Sequence, residues 1–183
     1  MYAKVCEPVR LTRDCPAVAV PEGVPVDLPR GTVGSISQAL GGSFTVYVQG
    51  KMFRIDGKDA DALGREPLPV PELPPGATDA DVERLVWEAL RGCYDPELPV
   101  NVVDLGLVYG CRVEMRPDGN RDVHITMTLT EPSCGMGDVI ACDVRGRVER
   151  VPTVAAAHVS LVFEPRWTPD RMSDVAKLAT GVY

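Results

Sequence analysis

The hydrophobic and polar positions of this chain change rhythm once. Up to Ile55 they come in short runs broken by Gly and Pro, and from Thr78 onward they settle into helical and alternating periods. In the first part, residues 18–20, 24–28, 32–38, 44–48 and 52–55 read as five short strands. The turn signals Pro21-Glu22-Gly23, Pro29-Arg30-Gly31, Ala39-Leu40-Gly41-Gly42 and Gln49-Gly50 separate them. Alternation and the aromatic residues Phe44, Tyr47 and Phe53 suit a hairpin at the end of this set. Five short strands with Gly-rich turns predict a small, curved, β-barrel-like domain over residues 1–64. Between Arg65 and Gly76 five prolines fall within twelve residues. That density excludes a helix or a central strand and predicts a semi-extended linker over residues 65–77.

From Thr78 the pattern is helical. Val82, Leu85, Val86, Ala89 and Leu90 recur on one face, Thr78 with Asp81 resembles a capping box with a short acid, and Gly92 stops the helix. Pro96 and Pro99 make residues 94–100 a loop. A strand over 107–115 and one over 123–129 flank the hairpin turn Pro117-Asp118-Gly119-Asn120. The second strand sets Val123, Ile125, Met127 and Leu129 on one face and His124, Thr126, Thr128 and Thr130 on the other. A helix over 138–148, a strand over 158–163, a rigid proline loop over 164–169 and a short helix capped by Ser173 complete the series. The order helix-strand-strand-helix-strand-helix predicts a two-layer α/β domain over residues 78–183, and the chain as a whole is expected to be an α+β protein.

Composition narrows the function classes. The 183 residues carry a formal net charge of −7, which argues against non-specific nucleic-acid binding and leaves no polybasic patch for a membrane surface. No run of eighteen apolar residues predicts a membrane span, and residues 1–13 lack the continuous apolar core of a signal peptide, so the cytoplasm is the expected compartment. Six cysteines form no CxxC pair, and the two histidines are His124 and His158, so a zinc site of ordinary local spacing is absent from the sequence. Gly41-Gly42 lacks the spacing of a nucleotide loop, and no nucleotide is expected.

The chemistry concentrates at Cys134. It sits between Pro132 and Gly135, where an alternating strand gives way to a helix pattern. Backbone N–H groups at a helix start stabilise a thiolate, which can attack an electrophile or bind a soft metal. One thiolate is not a four-ligand site, and Cys142 lies roughly 12 Å further along the helix by its rise, too far to share a metal in the same chain. Cys93, Cys111 and Cys142 therefore read as structural thiols. Asp95, Glu97 and Asp104 form an acidic set in the first loop, suited to acid–base work, to a hard cation, or simply to holding turns. Asp104, between Val103 and Leu105, is the most pointed of them, because a buried aspartate needs hydrogen bonds or a counter-charge. Thr130 lies on a polar strand face near the cysteine. His124 is a weaker candidate base, and Trp167 either closes over the Cys134 loop or packs the last turn against the core.

Taken as a set, Asp95-Pro96-Glu97, Asn101-Val102-Val103-Asp104-Leu105-Gly106-Leu107-Val108-Tyr109, Thr128-Leu129-Thr130 with Cys134, and the closing Pro165-Arg166-Trp167-Thr168-Pro169-Asp170-Arg171-Met172-Ser173 resemble the small iron–sulfur assembly family of PaaD-like, metal–sulfur cluster biosynthetic proteins. The N-terminal third, through Leu28-Pro29-Arg30-Gly31, Gln38-Ala39-Leu40-Gly41-Gly42-Ser43-Phe44-Thr45-Val46 and Arg54-Ile55-Asp56-Gly57-Lys58-Asp59-Ala60-Asp61-Ala62-Leu63-Gly64, is similar to the SufT-type group, in which an extra domain precedes the common module. The resemblance implies an auxiliary role in maturing or delivering iron–sulfur clusters, with no established turnover. The family's cysteine falls on Cys134 and its loop acids on Asp95, Glu97 and Asp104. Gly135-Met136-Gly137 stands where many relatives carry a proline, and Arg166 replaces a proline common in the ending.

The expected function is thus a cytoplasmic, non-enzymatic assembly or transfer factor that presents Cys134 to a labile iron–sulfur cluster. Its expected partners are assembly or client proteins, or a second copy of the chain. Two other readings stand beside it. A thiol enzyme would use Cys134 as nucleophile with a base such as His124, and a metal-free adaptor would bind partners without needing the thiol.

Overall fold

Glycine and proline cut the first third of the chain into strands too short to stand alone, and the fold answers by pairing them all into one sheet. The computed structural model describes residues 7–67, 69–95, 98, 100–131 and 137–182. Cys134 and Glu97, two of the expected site residues, lie outside them, as does Cys6. The chain divides into two compact units, residues 1–69 and residues 70–183. The first holds eight acidic and eight basic side chains, so the net charge of −7 belongs entirely to the second.

In the first unit the described strands are β1 (Glu7–Arg10), β2 (Cys15–Val20), β3 (Pro25–Leu28), β4 (Val33–Leu40), β5 (Ser43–Val48) and β6 (Lys51–Asp56). They pair antiparallel in the order β1-β4-β5-β6-β2-β3. The sequence pattern contains no signal for β1, because Glu7-Pro8-Val9-Arg10 does not alternate. Its place at the edge of the sheet tolerates the proline there. Strand β4 also runs on to Leu40, past the break expected at Ala39. Gly41 and Gly42, both at positive φ, make the two-residue turn between β4 and β5, and Gln49-Gly50 does the same between β5 and β6. That geometry matches the twist of paired strands, and it accounts for the glycines without an anion.

The core of this unit gathers Leu11, Cys15, Leu28, Ile36, Phe44, Val46 and Ile55. The acidic run expected as a turn is a kinked 3-10 segment, Gly57–Leu63, that buries Ala60, Ala62 and Leu63 against the same core. Arg13 holds it in place, reaching Asp59 at 2.9 Å and Asp61 at 2.5 Å. An open groove of about 690 Å³ runs along Val20, Pro21, Tyr47, Met52 and Phe53.

The second unit follows the order its periodicity predicts. Helix α1 (Asp79–Arg91) precedes the strands β7 (Val108–Met115) and β8 (Arg121–Met127). Then come α2 (Gly137–Val148), β9 (Val154–Leu161) and α3 (Asp174–Thr180). The capping box closes: Asp81 N–H donates to the Thr78 hydroxyl at 3.3 Å, and Thr78 N–H donates to the Asp81 carboxylate at 2.9 Å. The Thr78 hydroxyl and N–H together hold the Asp81 carboxyl below its usual range. Strands β7 and β8 form a hairpin, while β8 and β9 are parallel with α2 as the crossover. Helix α1 packs on β7 and α2, and α2 packs on β9.

Val123, Ile125 and Met127 of β8 are buried, whereas Asp122, His124 and Thr126 face the other way. Strand β8 ends at Met127, two residues earlier than expected, because Thr128 turns inward: its N–H donates to the Leu107 carbonyl and the residue is fully enclosed. Strand β9 starts at Val154, four residues before the expected start, its Ala155-Ala156-Ala157 run giving no period to read. Arg121, buried at the start of β8, ties that strand to Asp79 at the head of α1 and to the Thr153 hydroxyl. Among the described residues no helix is long and apolar enough to cross a membrane.

Gly34 marks the tightest packing in the first sheet. A β-carbon there would stand 2.5 Å from the Tyr47 carbonyl oxygen and against Val46 and Val48. Gly34→Ala is expected to destabilise the first unit by roughly 1–3 kcal/mol. Hydrogen exchange should then quicken in β1, β4 and β5 while β7, β8 and β9 keep their protection.

Candidate functional site

The loop joining α1 to β7 is built from two side chains that take the place of backbone partners. Asp95, buried, accepts from the Leu98 N–H at 3.0 Å and donates its own N–H to the Val100 carbonyl, which closes the proline-containing turn. Asn101, also buried, accepts through Oδ1 from the N–H groups of Val103 at 3.1 Å and Asp104 at 2.9 Å. This is the asparagine turn in which a side chain mimics a carbonyl. The Asn101 amide then donates to the Asp104 carboxylate at 2.6 Å. Val100, Val102, Leu105 and Leu107 point into the core and fix the loop beneath. Asp104, half-buried, is therefore positioned by Asn101, a residue that the reading of isolated acids passes over. The signal for it was present, as an Asn three residues before an Asp inside an apolar stretch.

A second segment clasps this loop from outside. Trp167, half-buried, donates its indole N–H to the Leu105 carbonyl at 2.8 Å. Tyr109 donates its hydroxyl to the Pro165 carbonyl at 2.8 Å, and the Arg171 guanidinium lies 4.4 Å over the Tyr109 ring. Ser173 N–H donates to the Asp104 carbonyl, so the cap of α3 is attached to the acidic loop. Gly106 permits the approach. Its φ is +68°, and a β-carbon would stand 2.3 Å from the Arg171 carbonyl oxygen. The structure thus brings Asp95, Asp104 and Trp167 into one assembly.

Thr130, half-buried, is a bend just beyond β8. From there the chain leads toward Cys134, and it is described again from Gly137 at the start of α2. The ends of that passage meet, since a β-carbon at Gly137 would stand 2.8 Å from the Leu129 side chain and 3.2 Å from that of Leu161. His124 lies on the outer face of the second sheet, with Nε2 turned to the Glu114 carboxylate at 3.2 Å.

The described thiols differ in access. Cys15 and Cys93 are buried, Cys111 is half-buried and Cys142 is exposed. Burial pushes the Cys15 thiol up to about 11, with the nearby Asp59 carboxylate adding to it. Burial likewise pushes Cys111 to about 11, helped by Glu83. Both values exceed the ordinary 9.0, so the folded protein keeps these protons while the unfolded chain releases them. That contribution to stability is complete below pH 9 and is lost as pH rises from about 9 to about 11. Iodoacetamide at pH 8 should therefore modify Cys142 well before Cys15 or Cys111, read by peptide mass, and urea midpoints should fall between those two pH values.

Gly106→Ala is expected to cost more than about 1 kcal/mol and to loosen the clasp, because both the positive φ and the contact oppose it. Trp167 fluorescence and hydrogen exchange at residues 101–106 report the change.

Comparison with known proteins places the acidic loop in a wider setting. The family model described as "Iron-sulfur cluster assembly protein" matches residues 83–161, all within the second unit. The chain is 47% identical over 104 residues to a Porphyromonas gingivalis protein named Fe-S protein maturation auxiliary factor, an overlap that takes in 57% of this chain and 91% of the relative. It is 44% identical over 97 residues to the Bacillus subtilis Fe-S protein maturation auxiliary factor YitW, covering 53% of this chain and 91% of YitW. It is 40% identical over 88 residues to the Staphylococcus aureus Fe-S protein maturation auxiliary factor SufT, covering 48% and 96%.

Proposed function

Because the chain belongs to the iron–sulfur cluster assembly protein family, as a SufT-type member, we propose that it is an auxiliary factor in iron–sulfur protein maturation that handles a cluster as cargo through Cys134. The observation that carries this reading is the 47% identity to a maturation auxiliary factor across 91% of that protein. The clasped loop supports it. Asp104 is held in one orientation by Asn101 and by the attachment of Ser173 to its carbonyl, and Asp95 keeps the neighbouring turn closed. A loop fixed in this way holds the half-buried Asp104 carboxylate in a constant position. Glu97 and Thr130 are proposed to support the same cargo role.

One thiolate binds a cluster weakly, which suits release to a client, and the remaining ligands would come from the client or from a second copy of the chain. The cytoplasm, with its reduced thiols, is the compartment in which such a group works. We read the first unit as a barrel-like docking module and residues 65–77 as its proline-stiffened spacer.

Anaerobic reconstitution with ferrous iron and sulfide, on wild type and Cys134→Ser, tests the carrier role. Wild type should hold iron and sulfide in near-equal amounts with visible absorption, and Cys134→Ser should lose most of both. Equal iron in the two proteins would remove Cys134 from the role. Absence of iron in both, with client maturation intact in Cys134→Ser, would favour the metal-free adaptor.

A further inference from the structure

The chain has two histidines, 34 positions apart, and the fold sets them side by side. His124 on β8 and His158 on β9 are register partners on the outer face of the second sheet. Their rings stack with centroids 4.9 Å apart and planes 20° from parallel. Glu114 of β7, diagonal to His124 across the hairpin, brings Oε2 to 3.2 Å from the His124 Nε2. Its other oxygen, Oε1, lies 2.8 Å from the Arg112 guanidinium as an ion pair. His158 is exposed and His124 half-buried, so both imidazoles are accessible from one side.

We infer that His124, His158 and Glu114 form a surface site for a first-row divalent metal ion, separate from Cys134. Two imidazoles and a carboxylate are the donor set that suits zinc, nickel or ferrous iron, with open positions left to water. The spacing suits chelation. Metal–imidazole bonds are about 2.0–2.1 Å, and side chains directly paired on neighbouring strands start about 4.8 Å apart, so one ion can touch a nitrogen from each ring. Among the described residues no three such groups already converge on one point. Binding therefore requires the stacked rings to rotate about their side-chain torsions until their lone pairs meet, a movement that the open face of the sheet allows. Glu114 must exchange its contact with His124 for the ion, while Arg112 keeps Oε1. Arg112 is the charge that opposes the ion. A site with three protein ligands on an open face exchanges its metal with solvent, unlike a closed structural site.

With two histidines, the imidazole NMR signals of the full chain report this site directly. Zinc chloride is titrated into reduced wild type, His124→Gln, His158→Gln, Glu114→Gln and Cys134→Ser. In wild type both imidazoles should shift together and saturate at one equivalent. Replacing either histidine should weaken the zinc-induced shift of the other at least about tenfold. Glu114→Gln should weaken it several-fold, and Cys134→Ser should leave it unchanged. Backbone spectra of the glutamine variants confirm that β8 and β9 stay paired. The inference is overturned if the imidazoles do not move while zinc enters at thiols. It is overturned equally if one imidazole still shifts with wild-type affinity after the other is replaced, or if Cys134→Ser abolishes the shift.

Discussion

At Gly106 the Arg171 carbonyl approaches to a distance that no side chain could share, and the arrangement of the acidic loop follows from that approach. With the backbones so close, Trp167 and Tyr109 exchange hydrogen bonds with the opposing strand of chain, and Ser173 reaches the carbonyl of Asp104. Each of these bonds is worth about 1 kcal/mol taken singly. Their shared geometry matters more, because all of them form or fail with one backbone contact. Asn101 supplies the complementary constraint from within, replacing carbonyls that the turn cannot offer. The orientation of Asp104 is thus over-determined, from inside by an amide and from outside by a clasp.

Much of the second unit was legible in the sequence. The capping box at Thr78, the apolar stripe of α1, the Asp118-Gly119 turn and the alternation along β8 are local signals, and local structure obeyed them. What escaped was set by partners distant in the chain. Strand β1 exists because β4 offers it an edge, and β9 begins early because β8 extends a parallel partner to its alanines. Thr128 turns inward to satisfy Leu107, which no period along β8 could announce.

The candidate site divides in the same way. Asp104 stood out as an acid between apolar neighbours and Asp95 as part of the acidic set of the proline loop, and both belong to one loop assembly. Asn101, Tyr109 and Arg171 entered only as motif positions without roles of their own, because those roles are relations between segments rather than properties of a residue. The two histidines are the clearest case. Read singly, His124 was a weak candidate base and His158 a strand residue without a role, and the register of β8 with β9 joins them. The acidic excess of the second unit against the neutral first one is likewise visible once the boundary between them is drawn.

The meeting of Leu129, Leu161 and Gly137 has a consequence for how this family of sequences can vary. The cost of closing a loop depends on bringing its ends together, and here the hydrophobic core of the second unit joins those ends by itself. The positions Leu129, Leu161 and Gly137 can then change only in concert, since bulk added at one of them is met by the other two.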